Sequence, residues 1–166
     1  MGCRTSNRVP SSAFHHQGDN LKGNGCREPE PADTVRPVNP VVQGKTYPEI
    51  AFEVTRDRTE AFARSIGADP DLGVPPTFVT AAESAVIPTI VTDPELGLDF
   101  TRVVHGDQEY LFDRPLEIGD TLTIRARIAS IRERGGNGFL TIETELVDGD
   151  GVRVVLARST MVERSA

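Results

Sequence analysis

Leu122-Thr123-Ile124-Arg125-Ala126-Arg127-Ile128 and Leu140-Thr141-Ile142-Glu143-Thr144-Glu145-Leu146 decide the fold. In each stretch the apolar side chains recur at every second position, which is the period of a strand with one buried face. The second stretch runs into Asp148-Gly149-Asp150-Gly151, a hairpin turn of the Asp-Gly kind, and a closing strand follows from Val152 to Val162. Upstream, Val104 to Phe112 reads as another strand, ending at Arg114-Pro115. Long strands joined by short connections make an antiparallel sheet, one face on the core and the polar face toward water or a partner.

Earlier in the chain the period lengthens. Tyr47 to Val54 reads as a short strand with Pro48 at its edge. Thr55 is placed to cap a helix whose first turn holds Asp57 and Glu60, with Phe62 and Ile66 on one face and Gly67 as the stop. Val74-Pro75-Pro76-Thr77-Phe78 forms a stiff approach to an apolar stretch, Val79 to Val91. Thr80 and Glu83 have capping-box spacing, which predicts a helix starting near Ala81, with Pro88 imposing a kink or a late start. Helices before strands make the class α+β.

The whole chain has 166 residues, 37% of them apolar, and a net charge of −7. Globular domains carry about 45–50% apolar residues, so a normal core is diluted by a segment that does not fold. Residues 1–43 have that composition: five Lys/Arg against four Asp/Glu, five Pro, four Gly and a single aromatic, Phe14. They read as a disordered tail before one domain spanning 44–166. No apolar run is long enough for a membrane span. An acidic chain with pI near 5.0 has no general phosphate-neutralising surface, so nucleic acid is excluded as a first partner. Cys3, Cys26, His15 and His16 fall in the tail without zinc-ligand spacing, so no metal site is expected. Met1-Gly2-Cys3-Arg4-Thr5-Ser6 fits the permissive myristoylation pattern, but sixteen Arg to two Lys point to a GC-rich bacterial genome, where that modification is not used. No apolar secretory segment follows the start, and the expected location is cytoplasmic.

Candidate chemistry is sparse. Gly135-Gly136-Asn137-Gly138 joins two strands and lacks the Lys-Ser/Thr of a phosphate loop, and Asp148 with Asp150 lacks the closing Glu of a calcium loop. His105 is the only histidine after the tail. Strand alternation sets it beside Asp107 and Glu109, with Val104, Gly106, Gln108 and Tyr110 on the other face. A carboxylate next to an imidazole can tune a general base; a histidine satisfied beneath a sheet is the commoner case. No Ser or Cys sits in a nucleophile motif, and no cofactor is called for.

Gly44-Lys45, Ile66-Gly67-Ala68, Val74-Pro75-Pro76-Thr77-Phe78, His105-Gly106-Asp107-Gln108-Glu109-Tyr110 and Pro115-Leu116-Glu117-Ile118-Gly119-Asp120 occur in the order of a known family. Over residues 44–166 the chain resembles the MaoC-like hot-dog dehydratases, particularly their N-terminal-type half. The resemblance implies a curved antiparallel sheet wrapped around a central helix. Two such units pair, and an acyl-thioester tunnel forms between them. It also implies action on 3R-hydroxyacyl thioesters carried by CoA or acyl carrier protein, in fatty acid metabolism. In the active half an Asp, an Asn-Pro and a His form the acid–base dyad. Here the nearest equivalent is Gly67-Ala68-Asp69-Pro70-Asp71-Leu72-Gly73, with Gly67 where the Asp belongs and Leu72 or Gly73 where the His belongs. That departure resembles the non-catalytic subunit of actinobacterial 3R-hydroxyacyl-ACP dehydratase heterodimers, which implies no catalytic residue here and a second hot-dog subunit supplying Asp and His. Pro76, Thr77 and Phe78 are then expected to border the acyl chain, with His105 and Gln108 structural or substrate-adjacent. Two other readings stay open: an independent hydratase or thioesterase using His105 with Asp107, and a non-enzymatic acyl-binding module.

Overall fold

A computed structural model describes residues 38–165. The elements are β1 (Ile50–Glu53), α1 (Arg56–Ser65), α2 (Val79–Val91), β2 (Val103–Phe112), β3 (Thr121–Arg134), β4 (Asn137–Val147) and β5 (Arg153–Glu163), with single 3-10 turns at Pro40–Val42, Pro70–Leu72, Pro76–Phe78 and Phe100–Arg102. The five strands form one sheet in the order β1-β3-β4-β5-β2, every pair antiparallel. The sheet curves around α2. Leu122, Ile124 and Ile128 of β3 and Leu140, Ile142 and Leu146 of β4 are fully buried and meet Val79, Ala82, Val86 and Ile90 of α2 in one core. The alternating stretches therefore fold as their period requires, and the class is α+β.

Local chemistry accounts for the helix ends. The Thr55 hydroxyl accepts the Arg58 amide at 3.4 Å to cap α1, and Gly67 follows the helix at φ 71, a left-handed conformation that costs glycine no Cβ clash. The start of α2 differs from expectation. It begins at Val79, directly off the Pro76–Phe78 turn. Thr80 does not act as a cap, because its hydroxyl donates to the Thr77 carbonyl at 2.7 Å. Nor does Pro88 end the helix. Pro88 and Ser84, whose carbonyl loses its helical partner there, both face solvent, so water can serve the freed group.

The domain boundary also moves. Val38 is 2% exposed, and Val42 is buried in the same core. The Asn39 amide donates to the Leu96 carbonyl at 2.9 Å, and Gln43 accepts the Ile131 amide at 3.1 Å. Residues 38–43 thus belong to the folded body rather than to a tail ending at 43. Their composition hid this because two valines suffice for the contact. The expectations for Cys3, Cys26, His15, His16 and the acylation pattern fall outside the described residues.

Candidate functional site

Two features converge on the side of the sheet covered by α2. The first is a polar cluster beneath β2. Its register against β5 shifts between His105 and Asp107, leaving Gly106 as the extra residue of a β-bulge. A Cβ on Gly106 would sit 2.9 Å from Val162 Cγ2 and 3.2 Å from the Thr160 carbonyl, so the close approach needs glycine. The bulge changes which side chains share a face. His105 joins Gln108 and Tyr110 on the inner face, while Asp107 and Glu109 point outward; the simple alternation that paired His105 with Asp107 does not survive it.

The inner cluster is centred on Glu83 of α2, which is 5% exposed. Gln108 Nε2 donates to both its oxygens at 3.2 and 3.1 Å, and the Tyr110 hydroxyl donates to Oε2 at 2.9 Å. His105 Nε2 lies 3.1 Å from Gln108 Oε1 and 3.2 Å from Ser159 Oγ. Burial pushes the Glu83 carboxyl up from its ordinary range, opposed by the hydrogen bonds from Tyr110 and Gln108 and by the nearby His105. Burial and the same carboxylate push the Tyr110 phenol up. With the Gln108 amide NH₂ committed to Glu83, its carbonyl oxygen faces His105. This makes His105 Nε2 the donor to Gln108 Oε1. The cluster orients a histidine, and the one serine it contains, Ser159, is 4% exposed.

Sequence reading named His105, Gln108 and Tyr110 but missed Glu83 and Ser159. Glu83 was legible in one respect, since its spacing places it on the α2 face of Val79, Val86 and Ile90.

The second feature is a small, mostly apolar cavity of about 260 Å³ at the approach to α2. Val74, Pro75 and Pro76 form one wall, and Phe112, Arg114 and Leu116 form the other. Pro76 and Thr77 are exposed. Phe78 is not part of the wall: it is 1% exposed, with its ring 5.9 Å from Phe52 and 5.4 Å from Phe62. The 3-10 turn at Pro76–Phe78 rotates consecutive residues away from one another, so the three expected acyl contacts split into two surface residues and one core residue.

In the loop before the cavity, Asp69 Oδ1 accepts the Asp71 amide at 2.9 Å, and Leu72 is 84% exposed. Asp69 and Asp71 are the only acid–base side chains between Gly67 and Gly73. A larger concavity of about 800 Å³, over Asn39–Gln43 and Pro94–Gly97, shares no residue with either feature; its lysine, Lys45, is committed to Asp93 at 2.7 Å and Glu95 at 2.6 Å. Among the described residues no group of His, Cys, Asp and Glu is arranged to hold a metal, and no helix is long and apolar enough to cross a membrane.

Residues 42–157 match the family described as FAS1-like, dehydratase domain region. The chain belongs to that family. A UPF0336 protein of Clavibacter michiganensis is 36% identical over 144 residues, covering 77% of this chain and 97% of that protein. A UPF0336 protein of Streptomyces coelicolor is 37% identical over 139 residues, covering 74% and 93%. The C-terminally truncated HadBC complex of Mycobacterium tuberculosis, a 3R-hydroxyacyl-ACP dehydratase, contains a chain that superposes with TM-score 0.62 at 28% identity, covering 73% of this chain and 96% of that one. A MaoC-like dehydratase superposes with TM-score 0.66 at 22% identity over 75% of this chain and 43% of its own length. R-hydratase PhaJ1 of Pseudomonas aeruginosa superposes with TM-score 0.54 at 17% identity. The FAS1-like dehydratase-region chain described here therefore has the hot-dog fold, in a family whose structural neighbours are dehydratases and hydratases.

Proposed function

We propose that this chain is one subunit of a 3R-hydroxyacyl-thioester dehydratase, or R-specific enoyl-thioester hydratase, of fatty acid metabolism, and that a second hot-dog subunit supplies the acid–base pair. The observation that carries the reading is the Gly67–Gly73 loop. It has Asp69-Pro70 where an active unit of the resembled family has Asn-Pro, Gly67 where that unit has its Asp, and Leu72, 84% exposed, or Gly73 where it has its histidine. Proton removal next to a thioester needs a base within hydrogen-bond reach of the α carbon and donors for the enolate oxygen. Asp69, spent on capping its own turn, is poorly placed to be that base. Pro76 and Thr77 stand at the cavity and the adjoining surface, where they would border an acyl chain on CoA or acyl carrier protein. Glu83, Gln108 and His105 then serve as structure behind the site.

The test is hydration of a trans-2-enoyl thioester, followed as loss of the enoyl absorbance. The purified chain alone should run no faster than buffer, and mixing it with a hot-dog subunit that carries the Asp and His should produce turnover. Turnover by this chain alone, abolished by His105→Ala, would instead establish an independent enzyme.

A further inference from the structure

The arginines on the outer face of the sheet fall into two groups. Arg125 is held by Glu49 at 2.8 Å, Arg153 by Asp113 at 2.6 Å, Arg158 by Glu143 at 2.8 Å, and Arg127 by the same Glu143. Three others stand together at the end of the sheet where β3 turns into β4. Arg132 and Arg134 of β3 lie opposite Phe139 and Asn137 of β4. Arg164 follows β5, whose last residue, Glu163, is buried on the inner face opposite Gly138, so alternation turns Arg164 outward. All three are exposed, and among the described residues none has a carboxylate in ion-pair range. The turn beside them, Gly135-Gly136, has both residues at positive φ and adds no side chain to shield them.

These guanidiniums rim an apolar centre. Phe139 and Val162 face each other across β4 and β5, both half-buried, and Val104 beside Val162 is 44% exposed. Arginine around an aromatic side chain is the composition of a protein contact surface. In a chain of net charge −7, three uncompensated cations in one corner concentrate the attraction for an anion there. Spacing decides which anion. Arg132 and Arg134, two residues apart on one strand, have backbones about 7 Å apart, and Arg134 and Arg164, two strands apart, about 10 Å. A diphosphate, with both phosphoryl groups on one bridging oxygen, is too compact to meet all three. A duplex nucleic acid runs past the corner onto a chain that is otherwise acidic. Carboxylates one and two turns apart on a helix, about 6 and 11 Å along its axis, match both gaps.

We infer that this corner docks an acidic amphipathic helix of a partner protein, with an apolar side chain of that helix on Phe139 and Val162 and its carboxylates on Arg132, Arg134 and Arg164. Arginine suits the task because its planar fork gives a carboxylate two parallel N–H bonds. Neither the cavity at Pro76 nor the cluster around Glu83 contributes a side chain to this surface, which makes it separate from the acyl site proposed above.

The test titrates the full chain into a fluorescein-labelled helical peptide that carries glutamates at i, i+4 and i+7 around a leucine, and reads fluorescence anisotropy. Wild type should bind at least about tenfold more tightly than R132S/R134S/R164S, a gap that narrows at high salt. Arg125→Ser, which removes a cation already held by Glu49, should weaken binding far less. The same peptide with glutamine in place of each glutamate should not bind; this arm uses wild type alone and decides the matter if circular dichroism shows that the triple variant does not fold. Equimolar CoA or duplex DNA should not displace the glutamate peptide. Equal binding by the triple variant, an equal loss in Arg125→Ser, equal binding of the glutamine peptide, or displacement by either phosphate ligand overturns the inference. Every readout is an affinity, so failure here leaves the dehydratase reading standing, and failure of that reading in the hydration assay leaves these results standing.

Discussion

Truncating Phe78 to alanine removes the ring that joins the turn leading into α2 to β1 and α1. That ring is 1% exposed and meets Phe62 edge-on, with planes at 81°, and Phe52 at a tilt of 53°. Removing a fully buried phenylalanine costs about 3–5 kcal/mol, the transfer of its atoms plus the cavity left behind. The edge-on and tilted contacts supply ~0.5–1.5 kcal/mol of such a loss, which favours the upper half of the range here. A domain of this size loses about 4 °C of melting temperature per kcal/mol, so Phe78→Ala should melt about 16–20 °C lower. Thr77→Ala, one residue earlier and exposed, should stay within about 0.5 kcal/mol of wild type. Urea unfolding followed by circular dichroism gives both values on one scale. The assembled complex can then be assayed for chain-length preference with the same Phe78→Ala protein. A loss of only a few degrees together with an altered preference would refute the core assignment and return Phe78 to the acyl-chain wall.

Three further outcomes follow from the geometry. Glu83→Gln tests the buried carboxyl: because burial raises the folded-state pKa of Glu83 above its unfolded value, its contribution is full below the unfolded pKa and is lost as pH rises through the folded one. The variant should therefore gain on wild type in thermal melts between mildly acid and mildly alkaline pH, and a constant gap would contradict the assignment. Gly106→Ala forces a Cβ against Val162 and the Thr160 carbonyl; it should cost about 1–3 kcal/mol by overpacking and shift the His105 imidazole resonances, whereas an unperturbed spectrum would mean the bulge does not set that face. A chain beginning at Gly44 should be less stable than one beginning at Val38 by about 3 kcal/mol or more, for the loss of buried Val38 and Val42; equal melting curves would restore the boundary at 43.

What the sequence by itself determined was everything that depends on local period and end chemistry. The alternation in Leu122–Ile128 and Leu140–Leu146 sets two strands, because side-chain direction in a strand repeats every second residue and only one face can be dry. Thr55 and Gly67 bracket α1, because a hydroxyl acceptor and a left-handed glycine satisfy orphan backbone groups without tertiary help. The absence of any histidine between Gly67 and Gly73 is likewise legible without coordinates. Tertiary structure alone decided the rest. The bulge at Gly106 is a property of the β2–β5 pair, and it carries His105 from the company of Asp107 to that of Gln108 and Glu83. The local signal at Thr80 and Glu83 reads as a helix cap; packing overrides it by starting α2 earlier and turning Glu83 into the core, where Gln108 and Tyr110 offset its burial with hydrogen bonds. Strand order leaves β2 as a free edge, and no window of sequence contains that order, because each neighbour in a sheet is chosen by contacts far apart in the chain.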